Sequence, residues 1–133
     1  MIIGYKSGKN ILTNGATRIA FAVNTEGFND AGFAGVVSSN FWPELANTGP
    51  QQLGTVLTKE CGEKTFYALV CHSLENGWKN QADVIKECFD NINIQEPVAS
   101  ISIGTGLIVI LSGADFNQIK MGMENSKTKI ILY

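Results

Sequence analysis

Short apolar segments separated by glycine and polar residues run along the whole chain. Segments of this length, bounded by turn residues, are typical of buried strands. They predict strands at Met1 to Tyr5, Ile19 to Val23, Val98 to Ile103 and Lys129 to Tyr133. Gly54 to Cys61 and Lys64 to Cys71 are rich in β-prone residues, and the Gly62-Glu63 turn between them predicts a hairpin.

A helical period is clearest between Trp78 and Ile92, where apolar residues recur at every third or fourth position. We expect Asn76 to cap this helix. Shorter helices are predicted at Phe33 to Phe41, at Pro43 to Ala46, and from Asp115 or Asn117 onward with Phe116, Ile119 and Met123 on one face. Because strands alternate with helices, the sequence predicts an α/β fold in which helices cover both faces of the sheet.

The stretch from Val98 to Leu111 allows two interpretations. It forms a hairpin if Gly104-Thr105-Gly106 is a turn between two strands. Alternatively, a single strand ends at Gly104 and a loop leads through Ser112 into the helix that follows. The apolar segment Ile108 to Leu111 is then either buried under neighbouring helices or forms an apolar contact patch.

Composition and charge narrow the functional classes. A chain of 133 residues with 44% hydrophobic and 17% charged residues predicts one domain spanning 1–133. The net charge of −2 and the scattered basic residues disfavour nucleic acid as a partner. No apolar stretch is long enough to span a membrane, and no signal peptide is evident, so we expect a cytoplasmic protein that does not bind membranes.

The three cysteines, Cys61, Cys71 and Cys88, are odd in number and lack CxxC spacing. Reduced and mostly buried thiols are therefore expected, rather than a disulfide or a metal site. The sequence indicates no metal ion and no cofactor.

Two glycine-rich segments follow strands that we expect to be central. Asn24 to Gly35 contains three glycines and leads into a helix, and Gly104 to Leu111 follows the strand at Val98. Ligands of α/β sheets bind at the carboxyl ends of the strands, so these two loops can face one crevice. Glycine loops and helix N-termini offer free backbone N–H groups to phosphate. Phe28 and Phe33 in the first loop either stack on a ligand or belong to the core.

This arrangement resembles the macrodomain family, whose members bind ADP-ribose between two such loops. The resemblance covers nearly the whole chain: Asn24 and the cluster from Asn29 to Gly35 match the first loop, and Ser102 to Leu107 match the second. The chain is most similar to the divergent compact branch typified by terminal ADP-ribose protein glycohydrolase. The resemblance implies a three-layer α/β/α sandwich with a mixed central sheet.

The resemblance also implies roles for individual residues. Asn24 would lie near the distal ribose, and Asn10 would face the adenine amino group, where many members have an aspartate. The phosphate-binding positions would be Ala31, Gly32, Phe33 and Gly35 on one side and Gly104, Thr105, Gly106, Leu107 and Ile108 on the other.

The catalytic groups of the family are not reproduced. Where the resembled branch has a lysine and an aspartate, this chain has His72 and Ile108, and Ala34 stands where the larger hydrolytic branch has an acid. Asp30 and His72 are the remaining candidates for a general acid or base. An unperturbed histidine titrates near neutral pH, which suits proton transfer.

Three hypotheses follow. The chain binds ADP-ribose or a derivative without turnover, or it hydrolyses ADP-ribosyl conjugates on protein or ADP-ribose 1″-phosphate. The third is a structural or interaction domain with no nucleotide ligand.

Overall fold

A computed structural model describes residues 1–105 and 112–133. The strands are β1 (Ile2–Tyr5), β2 (Arg18–Asn24), β3 (Val56–Cys61), β4 (Lys64–His72), β5 (Val98–Ser100) and β6 (Ile130–Leu132). The helices are α1 (Gly32–Asn40), α2 (Gln81–Ile92) and α3 (Phe116–Asn125), together with a short 3₁₀ helix at Pro43–Ala46.

The strands form one six-stranded sheet in the order β1-β6-β5-β2-β4-β3. Within the described part of the chain, β3 and β4 alone pair antiparallel, as the predicted hairpin, and the other neighbouring strands are parallel. Helix α1 packs on one face, whereas α2 and α3 pack together on the other. The predicted α/β/α sandwich with a mixed central sheet is therefore confirmed.

Strand β2 lies between β5 and β4 and is covered on both faces. Ile19, Phe21 and Val23 belong to the core beneath α1, whereas Ala20 belongs to the core beneath α2. Side chains alternate between the two faces of a strand, so a strand buried on both faces needs apolar residues at successive positions. This explains the unbroken apolar run at this point of the sequence.

Helix α2 begins later than predicted, at Gln81, and the prediction that Asn76 caps it is wrong. Asn76 instead lies in a tight turn in which Ser73 and Gly77 exchange backbone hydrogen bonds of 3.0 and 2.9 Å. The helix starts after Asn80, whose φ of 48° is left-handed. Trp78 is 9% exposed and belongs to the core without being helical, so its burial produced the misleading period.

The end of the chain follows the prediction more closely. Asp115 caps α3, since its carboxylate accepts from the backbone N–H of Asn117 at 3.0 Å. Strand β5 ends at Ser100, earlier than the predicted Ile103. The two interpretations of the segment after Gly104, and the apolar stretch Ile108 to Leu111, lie outside the described residues.

In the described ranges, no helix combines the length and apolar character needed to cross a membrane. Cys71 and Cys88 are buried and Cys61 is half-buried, and all three thiols are free. Burial raises the pKa of Cys71 well above its usual value and that of Cys88 to about 12, so both remain protonated at neutral pH.

Candidate functional site

The carboxyl ends of β2, β4 and β5 lie at the same edge of the sheet, because these strands are parallel neighbours. The segments that follow β2 and β5 therefore leave the sheet side by side. These are the two segments whose glycines suggested a ligand site, and α1 begins at the end of the first.

The side chain of Asn24 shapes the loop after β2. Its Oδ1 accepts from the backbone N–H groups of Gly27 at 2.9 Å and Phe28 at 3.2 Å, and its Nδ2 donates to the Phe28 carbonyl at 2.7 Å. Asn24 is buried, with 6% of its surface exposed. Its observed role is thus to fix the loop, and direct contact with a ribose stays a prediction.

Asn29 forms the second clamp of this loop, which sequence reasoning did not identify. Its Oδ1 accepts from the backbone N–H of Asn24 at 3.2 Å, and its Nδ2 donates to the Leu45 carbonyl at 3.1 Å. With 3% exposure it is among the most buried polar residues. The amide thereby ties the loop to the 3₁₀ helix.

The segment 47–51 holds the loop from the other side. The backbone N–H of Thr48 donates to the Gly27 carbonyl at 2.9 Å, and that of Gln51 donates to the Thr25 carbonyl at 2.7 Å. A Cβ on Gly27 would lie 2.0 Å from the Gly49 carbonyl oxygen, and Gly27 has a φ of +83°. Only glycine permits this close approach, so the loop has a single compact geometry.

Helix α1 begins without a side-chain cap. Ala31 is the N-cap residue and is exposed, and there is no acidic residue in the first turn. Among the described residues, no group accepts from the backbone N–H of Gly32, Phe33 or Ala34. Gly35 packs so closely on the loop that a Cβ would lie 2.8 Å from the Asp30 carbonyl. Free donors at a helix N-terminus form a favourable site for an anion.

The second loop is described as far as Thr105. Gly104 has a φ of +83°, and a Cβ there would lie 2.4 Å from Cδ1 of Ile119, so α3 packs directly on this glycine. The Thr105 hydroxyl donates to the Ser102 carbonyl at 2.7 Å. The predicted ligand positions Gly106, Leu107 and Ile108 lie outside the described residues.

The two aromatic residues of the first loop differ. Phe33 packs in the core with its ring 5.6 Å from that of Phe21. Phe28 is 55% exposed, although its backbone is held by Asn24. Thus Phe33 belongs to the core, whereas Phe28 presents its ring to solvent.

The remaining candidates lie at the surface. Asp30 is exposed immediately before Ala31, on the approach to α1. Asn10 is exposed in the connection between β1 and β2, and its Oδ1 accepts from the backbone N–H of Leu12 at 2.9 Å. Its role in adenine recognition stays a prediction.

His72 ends β4 and is stacked on Trp78, with ring centroids 4.5 Å apart and planes 5° from parallel. Burial lowers the pKa of His72 to about 4, although the nearby charge of Glu26 opposes this shift. The histidine is therefore neutral at working pH, and the expectation that it titrates near neutrality is wrong. A catalytic role for it stays a prediction.

Glu26 joins the loop after β2 to the turn after β4, and no sequence signal pointed to it. Its carboxylate accepts from the backbone N–H of Leu74 at 2.8 Å and from the Ser73 hydroxyl at 2.7 Å. The hydrogen bond from Leu74 has the larger effect and that from Ser73 the next largest, and they lower the pKa of Glu26 to about 2. The folded protein thus stabilises the ionised form of the Glu26 carboxylate.

We expect Glu26→Gln to destabilise the protein by about 1 kcal/mol at neutral pH, since one charge-assisted acceptor is lost at a solvent-screened position. Because the pKa falls from 4.5 to about 2 on folding, this contribution is complete above about pH 4.5 and disappears as the pH falls toward 2. Urea unfolding of both proteins across this range measures it. Glu75→Gln is the control, because it removes a carboxylate from the same turn and leaves the Glu26 hydrogen bonds in place. Equal profiles for the two variants would contradict the assignment.

No family model matches the chain, and no curated protein matches it. Solved structures do match. The macrodomain of Mycobacterium tuberculosis DarG superposes with a TM-score of 0.69 at 17% identity, covering 100% of this chain and 97% of that chain. A mutant Oceanobacillus iheyensis macrodomain with ADPR, which is ADP-ribose, gives a TM-score of 0.56 at 15% identity over 98% of this chain and 81% of that chain.

A structure described as alphavirus P23pro-zbd also matches, with a TM-score of 0.67 at 15% identity. The match covers 98% of this chain but only 21% of that longer chain. The similarities to the DarG and Oceanobacillus iheyensis macrodomains establish that the chain has the macrodomain fold, as the sequence resemblance predicted.

Proposed function

We propose that this chain binds ADP-ribose or an ADP-ribose derivative at the carboxyl edge of the sheet, with the diphosphate at the N-terminus of α1. The observation that carries the proposal is the group of free backbone donors at Gly32, Phe33 and Ala34, which no described residue satisfies. A diphosphate would accept from these groups and would interact favourably with the helix dipole.

Two further observations support this position. No acidic residue lies in the first turn of α1, so no fixed charge within the helix repels an anion there. The segment at Gly104 leaves the sheet beside it, which suits a ligand held from two sides. Macrodomains of the same fold have been crystallised with ADPR and with ADP.

Calorimetric titration with ADP-ribose tests the proposal. We expect saturable binding of one ligand per chain, with weaker binding of adenosine, which lacks the diphosphate. No heat with millimolar ADP-ribose would refute the nucleotide proposal and leave the interaction domain as the remaining hypothesis.

The finer proposal is turnover of an ADP-ribosylated protein or of ADP-ribose 1″-phosphate. Asp30 is the candidate residue for it, because it is exposed and directly precedes the N-cap residue Ala31, where a carboxylate could orient a water. The test is release of ADP-ribose or phosphate, compared between the native chain and Asp30→Ala. Binding without release in both proteins would leave a binding module. This proposal treats 1–133 as one domain that acts in the cytoplasm without a cofactor.

A further inference from the structure

The two edges of the sheet are not equivalent. At β1, the backbone N–H of Ile2 donates to the Glu124 carboxylate at 3.0 Å, and the pairing of this short strand shifts register between Ile2 and Gly4. A charged cap and an irregular register protect an edge strand against pairing with another chain. The β1 edge is thus protected by the protein itself.

The β3 edge has a regular register from Val56 to Cys61. Cys61 and Lys64 form the hydrogen-bonded pair that closes the two-residue turn, so the backbone N–H and C=O groups of Cys61 face β4. Along β3, every second residue faces β4 in the same way, and the residues in between direct their backbone groups outward. The outward residues are Val56, Thr58 and Glu60. In the described ranges, no group pairs with their outward N–H and C=O groups.

A groove of about 560 Å³ runs beside the first half of this strand. Its lining includes Trp42, Glu44, Leu57 and Thr58, together with Asn47, Thr48 and Gln51 from the segment 47–51 that holds the loop after β2. Glu44 is exposed, and within the described residues its carboxylate forms no ion pair. The groove therefore offers an apolar wall and one uncompensated negative charge beside an open strand edge.

We propose that a second copy of this chain pairs antiparallel along β3, about a twofold axis at Thr58, and joins the two sheets into one. Such a register pairs outward-facing residues with outward-facing residues, and it places Thr58 opposite Thr58 of the partner subunit. Leu57 then lies opposite Lys59 of the partner subunit. Leu57 and Lys59 are on the same face of the strand, so the ammonium group enters the groove beside Glu44.

Charge selects this register over a neighbouring one. A twofold axis at Lys59 would place two ammonium groups directly opposite each other, which is unfavourable. The axis at Thr58 instead pairs each lysine with the carboxylate of the other subunit, twice per dimer. A second copy supplies both members of this charge pair, since Glu44 and Lys59 belong to the same chain.

Sedimentation of the full chain from micromolar to millimolar concentration tests the proposal. We expect a reversible dimer, and we expect Glu44→Lys or Lys59→Glu alone to weaken it by about tenfold, because each variant turns two attractive pairs into repulsive ones. The double variant Glu44→Lys with Lys59→Glu should restore the dimer. A monomer at every concentration, or single variants that dimerise normally, would overturn the proposal.

Thr58→Pro provides a variant specific for the edge. Proline is tolerated on an edge strand where the missing N–H faces solvent, so the monomer should fold and retain its thermal transition. We expect its dimer to be lost. A dimer that persists in this variant would place the contact elsewhere.

Discussion

Replacing Ala31 by Asp is expected to stabilise the fold and, in the same protein, to weaken binding of ADP-ribose. Ala31 is the N-cap of α1 and has extended backbone angles of −130° and 161°, but it has no side chain that can cap the helix. An aspartate there would accept from the N–H groups of Phe33 or Ala34. Capping of this kind contributes about 1 kcal/mol of stability.

The same carboxylate would occupy the donors that we assign to the diphosphate and would repel its charge. We therefore expect the dissociation constant for ADP-ribose to rise at least about tenfold, which corresponds to about 1.4 kcal/mol. Urea unfolding and calorimetric titration measure the two effects independently. The opposite signs matter, because a variant that merely damages the fold would lower both stability and affinity.

Two control variants separate the causes. Ala31→Asn caps the helix without adding charge. It should therefore show how much of the lost affinity for ADP-ribose comes only from the capping of the backbone N–H groups. Val36→Asp adds the same charge to an exposed position later in the helix and should leave affinity nearly unchanged. Unaltered binding by Ala31→Asp would exclude the N-terminus of α1 as the phosphate site.

Gly27→Ala is expected to lower the free energy of unfolding by about 3 kcal/mol or more. A loss of this size is typical of a severe steric conflict. Its Cβ would lie 2.0 Å from the Gly49 carbonyl oxygen and 2.7 Å from Oγ1 of Thr48. The loop and the segment 47–51 cannot both keep their positions, so ADP-ribose binding should be lost as well.

Gly15→Ala is the matched control, since Gly15 has a φ of +80° and no atom within 4 Å of an added Cβ. It carries only the cost of a left-handed backbone, about 1 kcal/mol. Denaturant unfolding of the two variants isolates the contribution of the close approach. Equal losses would mean that the loop can move away from Gly49, and the rigid geometry described above would be wrong.

Periodicity and turn residues predicted the parts of this protein that depend on local sequence. The buried strand at Ile19 to Val23, the Gly62-Glu63 hairpin and the helix that begins after Asp115 all follow from neighbouring residues. The start of α2 was predicted too early because of Trp78. This residue is buried by a tertiary contact with His72, and in the sequence a residue buried in this way cannot be told from an apolar residue on a helix face.

The chemistry of the candidate site was harder to predict, because it depends on contacts between distant segments. Glu26 and Leu74 are 48 positions apart, and only the parallel pairing of β2 with β4 brings them together. The low pKa of His72 likewise results from burial that no single segment reveals. The sequence predicts Asn24 as a ligand-binding residue, and that stays a prediction; the direction of its amide toward its own loop could not be read from the sequence.

The clamps around Gly27 and Phe28 also bear on how fast a ligand can bind. Since Asn24, Asn29 and the segment 47–51 already hold this loop in the free protein, the loop itself needs no folding step before it contacts a nucleotide. Little conformational entropy of this loop would be lost on association, which favours a rate set by diffusion and orientation. The amide protons of this loop should accordingly exchange slowly with solvent even before any nucleotide is present.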